Sequence, residues 1–206
     1  MRSAAGARRL DVSRRDLLAL GGVAGAGAVL QACGKKESKE SPHGDARSRA
    51  SDVRIVNYAL TLEYLESELY RRALDTGFFI GNEKELLKRF GDQEQRHVEA
   101  LTAAVGKLGG RAAAAPRPNF SLGDRLSILK ALQRLENLGA AAYLGQMSRI
   151  RDREVLQAAL SIHSVEARHA TTFNTILGKD ITPTGAFAKP ASMEEVLPVA
   201  QLFIAA

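Results

Sequence analysis

The sequence predicts an all-α fold, an antiparallel four-helix bundle with a long crossover between its second and third helices. After residue 50 the chain is dominated by Ala, Leu, Glu, Arg and Lys, which favour helix. Turn-forming residues divide this region into four long segments, and none shows the alternation of a strand. Apolar residues recur at heptad spacing within the segments, as on the buried faces of bundled helices.

Each predicted helix is bounded by residues that cap or break helices. Capping side chains stand near the starts, and glycines stand at or beyond the ends. Between the second and third helices, residues 111–121 contain two prolines and form the crossover. A short loop, a long crossover and a second short loop suit such a bundle. The predicted helices run from Asp52 to Asp75, Asn82 to Gly109, Ser121 to Arg149, and about Arg153 to Gly178.

Residues 1–33 resemble a bacterial twin-arginine export signal. The motif Ser13-Arg14-Arg15-Asp16-Leu17-Leu18 precedes an apolar run rich in Gly and Ala, which is short for a membrane span. Leu17 stands where the signal commonly has Phe. The resemblance implies export to the periplasm or cell envelope. An uncleaved membrane anchor or a basic disordered tail are the alternatives.

The end of that run has a second interpretation. Leu30-Gln31-Ala32-Cys33 resembles a lipobox, which implies a lipid on Cys33 that anchors the protein to the membrane. Cleavage near Ala26 would instead leave a soluble exported protein. Residues 34–50 are nearly free of apolar side chains and predict a disordered tether. Because Cys33 is the only cysteine, one chain can form neither a disulfide nor a cysteine-based zinc site.

The charge distribution argues against nucleic-acid binding. The net charge is +6, and residues 1–33, with five arginines and two aspartates, account for half of it. Later basic residues are interspersed with acidic ones, as on a solvated helix face. No basic stripe remains, so we expect no nucleic-acid partner.

The most informative motif is a duplicated Glu-x-Arg-His. The first copy begins at Glu94 and the second at Glu166. Glu63 precedes the first by 31 residues, and Glu136 precedes the second by 30. Each upstream Glu is followed seven residues later by a tyrosine. Since Glu and His three residues apart point the same way on a helix, two such pairs and two further glutamates can hold a pair of metal ions.

These polar residues occupy positions where core residues are expected. Glu94 falls in the heptad row of Leu87 and Leu101, and His97 in the row of Phe90. The fourth predicted helix repeats the pattern. Six side chains therefore face the bundle interior at comparable heights: Glu63, Glu94, His97, Glu136, Glu166 and His169.

Burying four carboxylates requires compensating positive charge. Each buried carboxylate loses hydration worth on the order of several kcal/mol, whereas the net stability of a typical domain is about 5–15 kcal/mol. Two divalent cations supply that charge. The alternative is internal neutralisation by Arg96 and Arg168, but each lies two residues past its Glu, about 200° around the helix, and should point outward. The pattern favours the metals.

Residues from about Asp52 to Gly178 resemble the ferritin-like superfamily of di-iron carboxylate proteins, especially exported bacterial ferritin-like domain proteins. The resemblance implies two iron ions, with manganese as the alternative, bridged by Glu94 and Glu166. The implied remaining ligands, one carboxylate and one imidazole per metal, are Glu63, His97, Glu136 and His169. It also implies that Tyr70 and Tyr143 are hydrogen-bond partners of the ligands or radical-prone neighbours; simple core packing is their other role.

Three further residues lie one helical turn from a predicted ligand. Glu66, one turn beyond Glu63, is interpreted as a surface or interface acid; the alternative is that it serves as an alternate metal ligand. His163, one turn before Glu166, is interpreted as a neighbour of the site or a helix-edge residue. Gly139 either leaves room beside the site or permits close helix packing.

The functional expectation is an exported protein with a dinuclear metal centre and redox activity toward Fe(II), O2 or peroxide, as a ferroxidase, oxidase or peroxidase. Manganese-dependent peroxide breakdown and a non-enzymatic envelope or stress-related module are the alternatives. No C-x-x-C pair is present, and residues 180–206 predict a tail with only a short helix near 192–197. Bulk iron storage and a rubredoxin-type electron route are therefore not expected. A homodimer is compatible with the sequence.

Overall fold

The computed structural model describes residues 42–205, with side chains from residue 46. The predicted export signal, Cys33 and residues 34–41 of the predicted tether lie outside this range. No helix in the described part is long and apolar enough to cross a membrane. The described helices are α1 (Pro42–Asp75), α2 (Gly81–Lys107), α3 (Arg125–Gln146), a 3-10 turn (Met147–Arg149), α4 (Arg153–Ile176) and α5 (Met193–Gln201).

The predicted all-α bundle is confirmed. Short connections join α1 to α2 and α3 to α4, and each of these pairs packs together, while α1 also packs against α3. Residues 108–124 form the long crossover between the two pairs. This arrangement brings the middle of all four long helices to one level of the bundle.

Two predicted helix starts were wrong. α1 begins at Pro42 rather than Asp52, so residues 42–50 of the predicted tether are helical. Proline is favoured at the first position of a helix. The polar residues after Pro42 can be helical because they extend a helix whose later turns pack in the bundle. α3 begins after Asp124 rather than at Ser121, because Asp124 and Ser127 form a reciprocal capping box.

Asp52, the predicted start of the first helix, instead connects α1 to α4. It is buried within α1, where its carboxylate accepts hydrogen bonds from the backbone N–H groups of Arg151, at 3.1 Å, and Asp152, at 2.7 Å. Asp152 in turn caps α4 by accepting from the backbone of Glu154. Asp52 therefore fixes the start of α4 against α1.

The C-terminal segment packs on the bundle. Its short helix α5 confirms the helix predicted near residues 192–197, and a capping box from Ser192 starts it. Val196 and Ala200 bury its apolar face. Before α5, the chain passes so close to Gly145 that a side chain there would collide with the backbone of Ala191. Glycine at this position is what allows the segment to lie against α3.

The apolar core has two parts separated by a polar layer. One cluster includes Leu69, Leu132 and Phe173, and the other includes Leu60 and Leu101. The duplicated Glu and His residues lie between these clusters along the helices. Apolar packing on both sides thus holds the polar layer away from water.

Replacing Asp52 with alanine is expected to lower the free energy of unfolding by about 1–3 kcal/mol, because two backbone N–H groups lose their carboxylate acceptor. Urea denaturation followed by circular dichroism measures the change. Asp92→Ala, an exposed substitution on α2, should change it by less than about 0.5 kcal/mol. Equal effects of the two substitutions would contradict the role given to Asp52.

Candidate metal centre

The structure brings the six predicted residues together in the bundle interior. α1 and α3 each contribute one glutamate, and α2 and α4 each contribute a glutamate and a histidine. The four glutamates are fully buried, and the histidines are 8% and 1% exposed. The heptad reading is therefore correct: these side chains occupy core positions. The six are Glu63, Glu94, His97, Glu136, Glu166 and His169.

The imidazole of His97 faces three of the carboxylates. Its Nδ1 atom lies 2.9 Å from Glu94, 3.2 Å from Glu63 and 3.2 Å from Glu166. These carboxylates come from three different helices. A single nitrogen at the centre of three carboxylates marks a position that favours a positive charge.

The second imidazole, that of His169, is held by neighbours on its outer side. Its Nε2 lies 2.7 Å from the side-chain oxygen of Gln93, and its ring stacks on Phe90 with centroids 3.9 Å apart. Because Nε2–H donates to Gln93 in neutral histidine, Nδ1 retains its lone pair. That lone pair faces Glu94 at 2.7 Å and Glu136 at 3.3 Å. An imidazole lone pair against carboxylates is the donor set of a metal ion.

The donor atoms form two overlapping groups. In each group, one atom from every residue lies within 4.8 Å of the others. Glu94 and Glu166 belong to both groups, so the groups share two carboxylates. The buried cluster is consistent with a dinuclear metal site. The first group is Glu63, Glu94, His97 and Glu166, and the second is Glu94, Glu136, Glu166 and His169.

The two tyrosines cross between α1 and α3. The hydroxyl of Tyr70 on α1 donates to Glu136 on α3, and that of Tyr143 on α3 donates to Glu63 on α1. Both rings are buried. Each Glu-x6-Tyr element thus supports the glutamate of the other, and the tyrosines have a hydrogen-bonding role beyond core packing.

No arginine or lysine neutralises the cluster within the described residues. Arg96 and Arg168 are exposed, as their positions two residues past Glu94 and Glu166 predicted. The ion pairs of the four glutamates are with histidines alone. Internal neutralisation by the motif arginines is therefore excluded.

The electrostatics of the cluster show how strongly it requires positive charge. Burial, followed by repulsion from neighbouring carboxylates, raises the pKa of Glu166 well above its ordinary value. Burial also raises the pKa of Glu94, and the hydrogen bond from His97 only partly opposes this. For His97, burial lowers the pKa, but hydrogen bonds to Glu166, Glu63 and Glu94 outweigh it and raise the pKa to about 12. Without metal, the cluster takes up protons instead.

The structure corrects the interpretation of Glu66 as a surface acid. Its side chain is buried, with 2% of the residue exposed, and both oxygens lack a hydrogen-bond partner. It lies beside Gly139, where an added Cβ would be 2.7 Å from a Glu66 oxygen and 2.8 Å from a Glu166 oxygen. Gly139 therefore leaves room for two carboxylates. The available signal was the spacing, since Glu66 is one helical turn from Glu63.

Two further residues complete the surroundings. His163 is half-buried outside both donor groups, consistent with its interpretation as a neighbour of the site or a helix-edge residue. Burial lowers its pKa, opposed by a hydrogen bond to the backbone of Ala140. Sequence reasoning missed Gln93, which fixes His169. Its position one residue before Glu94 was the only signal.

The ferritin-like domain family matches residues 51–179 of the chain. This range includes all four long helices of the bundle except the start of α1. No curated protein matches the sequence.

Solved structures share the fold at low sequence identity. A Desulfovibrio desulfuricans bacterioferritin, described with a diiron site, has a TM-score of 0.61 and 18% identity, covering 72% of this chain and 93% of its own. A conserved hypothetical protein from Mycobacterium tuberculosis has a TM-score of 0.57 and 17% identity; the match covers 71% of this chain and 99% of that protein. Ferritin-like diiron-carboxylate proteins from Bacillus anthracis have a TM-score of 0.55 and 19% identity; the match covers 63% of this chain and 97% of the matched chain.

Metal-free protein is expected to lose stability as the pH rises from 5 to 9. Glu66, Glu94 and Glu166 have pKa values raised above 4.5, and that of His97 is raised above 6.5, so the folded state holds protons that the unfolded state releases. Each such proton weakens folding by about 1.4 kcal/mol per pH unit. Urea denaturation in chelator measures this, and Glu94→Gln should flatten the slope. Stability that is constant or rises over this range would contradict the electrostatic account.

Proposed function

Because this chain belongs to the ferritin-like domain family, we propose that its buried Glu and His cluster binds two metal ions and performs redox chemistry on Fe(II), O2 or peroxide. Iron is the proposed metal, with manganese as the alternative. One observation carries the proposal: two donor groups overlap at Glu94 and Glu166, and each contains its own histidine.

The ligand assignment follows from the overlap. Glu94 and Glu166, which belong to both groups, are proposed as the bridging carboxylates. Glu63 belongs to the group of His97. The second group contains the remaining terminal ligands, Glu136 and His169. Two divalent ions would match the charge of these four carboxylates and leave both imidazoles as neutral nitrogen donors.

The donor set also selects the metal. Each group offers three carboxylates and one imidazole, with no sulfur donor. Hard oxygen ligands favour iron or manganese, whereas soft thiolate ligands would favour copper(I) or zinc. Closed structural zinc sites are rich in Cys and His, which this centre does not resemble. We therefore infer iron or manganese from the chemistry of the ligands.

When bound, two Fe(II) ions supply two electrons, enough to reduce peroxide with two protons to two waters. The chain's own residues hold the site for that reaction. Tyr70 and Tyr143 fix Glu136 and Glu63 by donating hydrogen bonds. Gln93 orients His169 through Nε2, which leaves Nδ1 directed at the carboxylates. The apolar clusters on either side keep bulk water out of the centre.

We also propose a location for this chemistry. The predicted twin-arginine signal would place the bundle in the periplasm or cell envelope. A lipid on Cys33 would hold it at the membrane surface. These assignments rest on the sequence motifs of residues 1–33 alone.

A structural metal centre is the second candidate function. The degree of burial favours it, since none of the six residues is more than 8% exposed and structural metal sites are completed by protein ligands alone. In that case the metals would stabilise the bundle of an envelope module. Reactivity toward an oxidant separates this candidate from the redox centre.

Metal loading tests the site itself. Wild-type protein loaded anaerobically with Fe(II) and freed of excess should retain about two ions per chain by elemental analysis. Glu94→Gln should retain one or fewer, because both groups lose a carboxylate. Glu99→Gln, an exposed change on the same helix, should retain two. A metal-free wild type, or full loading of Glu94→Gln, would refute the assignment.

Oxidant consumption tests the redox proposal. Fe(II)-loaded protein should consume O2 or peroxide at least about ten-fold faster than the same concentration of free Fe(II), measured with an oxygen electrode and by peroxide assay. Protein with two bound ions and no acceleration would favour the structural centre. Oxygen evolution from peroxide after manganese loading would identify the manganese alternative.

A further inference from the structure

Glu66 is a buried carboxylate that the six-residue centre leaves without a role. It lies on α1, one turn after Glu63, and is 2% exposed. Neither oxygen accepts a hydrogen bond, and the described residues offer it no ion pair. The other four buried glutamates each contact a histidine or a tyrosine hydroxyl. A buried carboxylate with no such contact is costly unless something else compensates its charge.

The surroundings of Glu66 show where that compensation must come from. Its electrostatic neighbours are Glu166, Glu63, Glu136 and Glu94, in decreasing order of effect, and all of them are acidic. None of these largest effects comes from a basic side chain of the described residues. When Glu66 is ionised, its charge therefore adds to the excess of negative charge that the candidate metal ions would balance.

A glycine on the facing helix makes the position available. At Gly139 on α3, an added Cβ would lie 2.7 Å from Oε1 of Glu66 and 2.8 Å from Oε2 of Glu166. Two carboxylate oxygens from different helices thus converge over a residue without a side chain. Any other residue at 139 would push at least one of them away. Glu166 is one of the two carboxylates shared by both donor groups.

We propose that Glu66 is a seventh protein ligand of the metal pair, binding beside Glu166 over Gly139; this rests on the proposed function. Glu66 stands outside both donor groups, so binding as a ligand would require its carboxylate to move toward them. A buried carboxylate that has no hydrogen-bond partner and lies beside the shared ligand Glu166 has no contact to break before it moves. The seven-residue set distinguishes this chain from one that uses the duplicated motif and its two upstream glutamates alone.

Spectroscopy with Co(II) tests this proposal without relying on activity. Wild-type protein, Glu66→Gln and the control Glu68→Gln are titrated anaerobically with Co(II) while the ligand-field absorption bands are recorded. Glu68 lies on the same helix, but its carboxylate pairs outward with Arg71 and Arg72. Glutamine keeps the size of the side chain while removing the anionic oxygen.

For Glu66→Gln we expect at least one Co(II) to bind about ten-fold or more weakly, since even residues that only orient ligands contribute 10- to 100-fold. Its absorption bands should change in position and intensity as the coordination changes. Glu68→Gln should match wild type in both. Gly139→Ala should shift the bands as well, because its methyl group displaces the converging carboxylates.

The outcomes separate the two proposals. If wild type binds no Co(II), the metal centre and the role of Glu66 both fail. If wild type binds two ions and Glu66→Gln binds them with the same affinity and spectrum, only the role of Glu66 fails. Thermal unfolding shows whether the variant still folds. Metal-free Glu66→Gln should have a melting temperature at least as high as that of wild type, but Co(II) should raise it by less.

Discussion

The structure depends on one constraint: five glutamates are buried at the middle of the bundle, and no arginine or lysine of residues 42–205 balances them. Two histidines and two tyrosines are their polar neighbours among the described residues. Apolar clusters above and below the layer stabilise the fold strongly enough to hold these carboxylates together. Burying these carboxylates together lowers the free energy of unfolding, and it creates a site of concentrated negative charge at the centre of the bundle.

The internal repeat explains the symmetry of that site. Each half of the bundle contributes an upstream glutamate with its tyrosine, and then a glutamate with its histidine. The tyrosines cross between the halves, so that neither half is complete alone. The symmetry is broken in two places. First, Gln93 and Phe90 contact His169. Second, the position one turn after the upstream glutamate is Glu66 in one half and Gly139 in the other, and these two residues face each other.

Much of this could be predicted from sequence because periodicity reports burial. Glu94 and Glu166 interrupt apolar heptad rows, and the structure buries them as those rows required. Helix starts were less predictable, because Ser121 looks as suitable a cap as Asp124 and because the polar stretch after Pro42 resembles a tether. Glu66 was misjudged because its burial depends on a glycine more than 70 residues later. The spacing from Glu63 indicated that Glu66 is on the same face of α1, but not that a glycine on α3 leaves room for it.

The central claim is that metal ions compensate the buried carboxylates. Crystals of iron-loaded protein, measured by anomalous diffraction at the iron absorption edge, test it most directly. The account predicts two peaks inside the bundle, one beside His97 and one beside His169, both adjacent to Glu94 and Glu166. An interior without anomalous peaks, with the glutamates and histidines arranged as before, would contradict it.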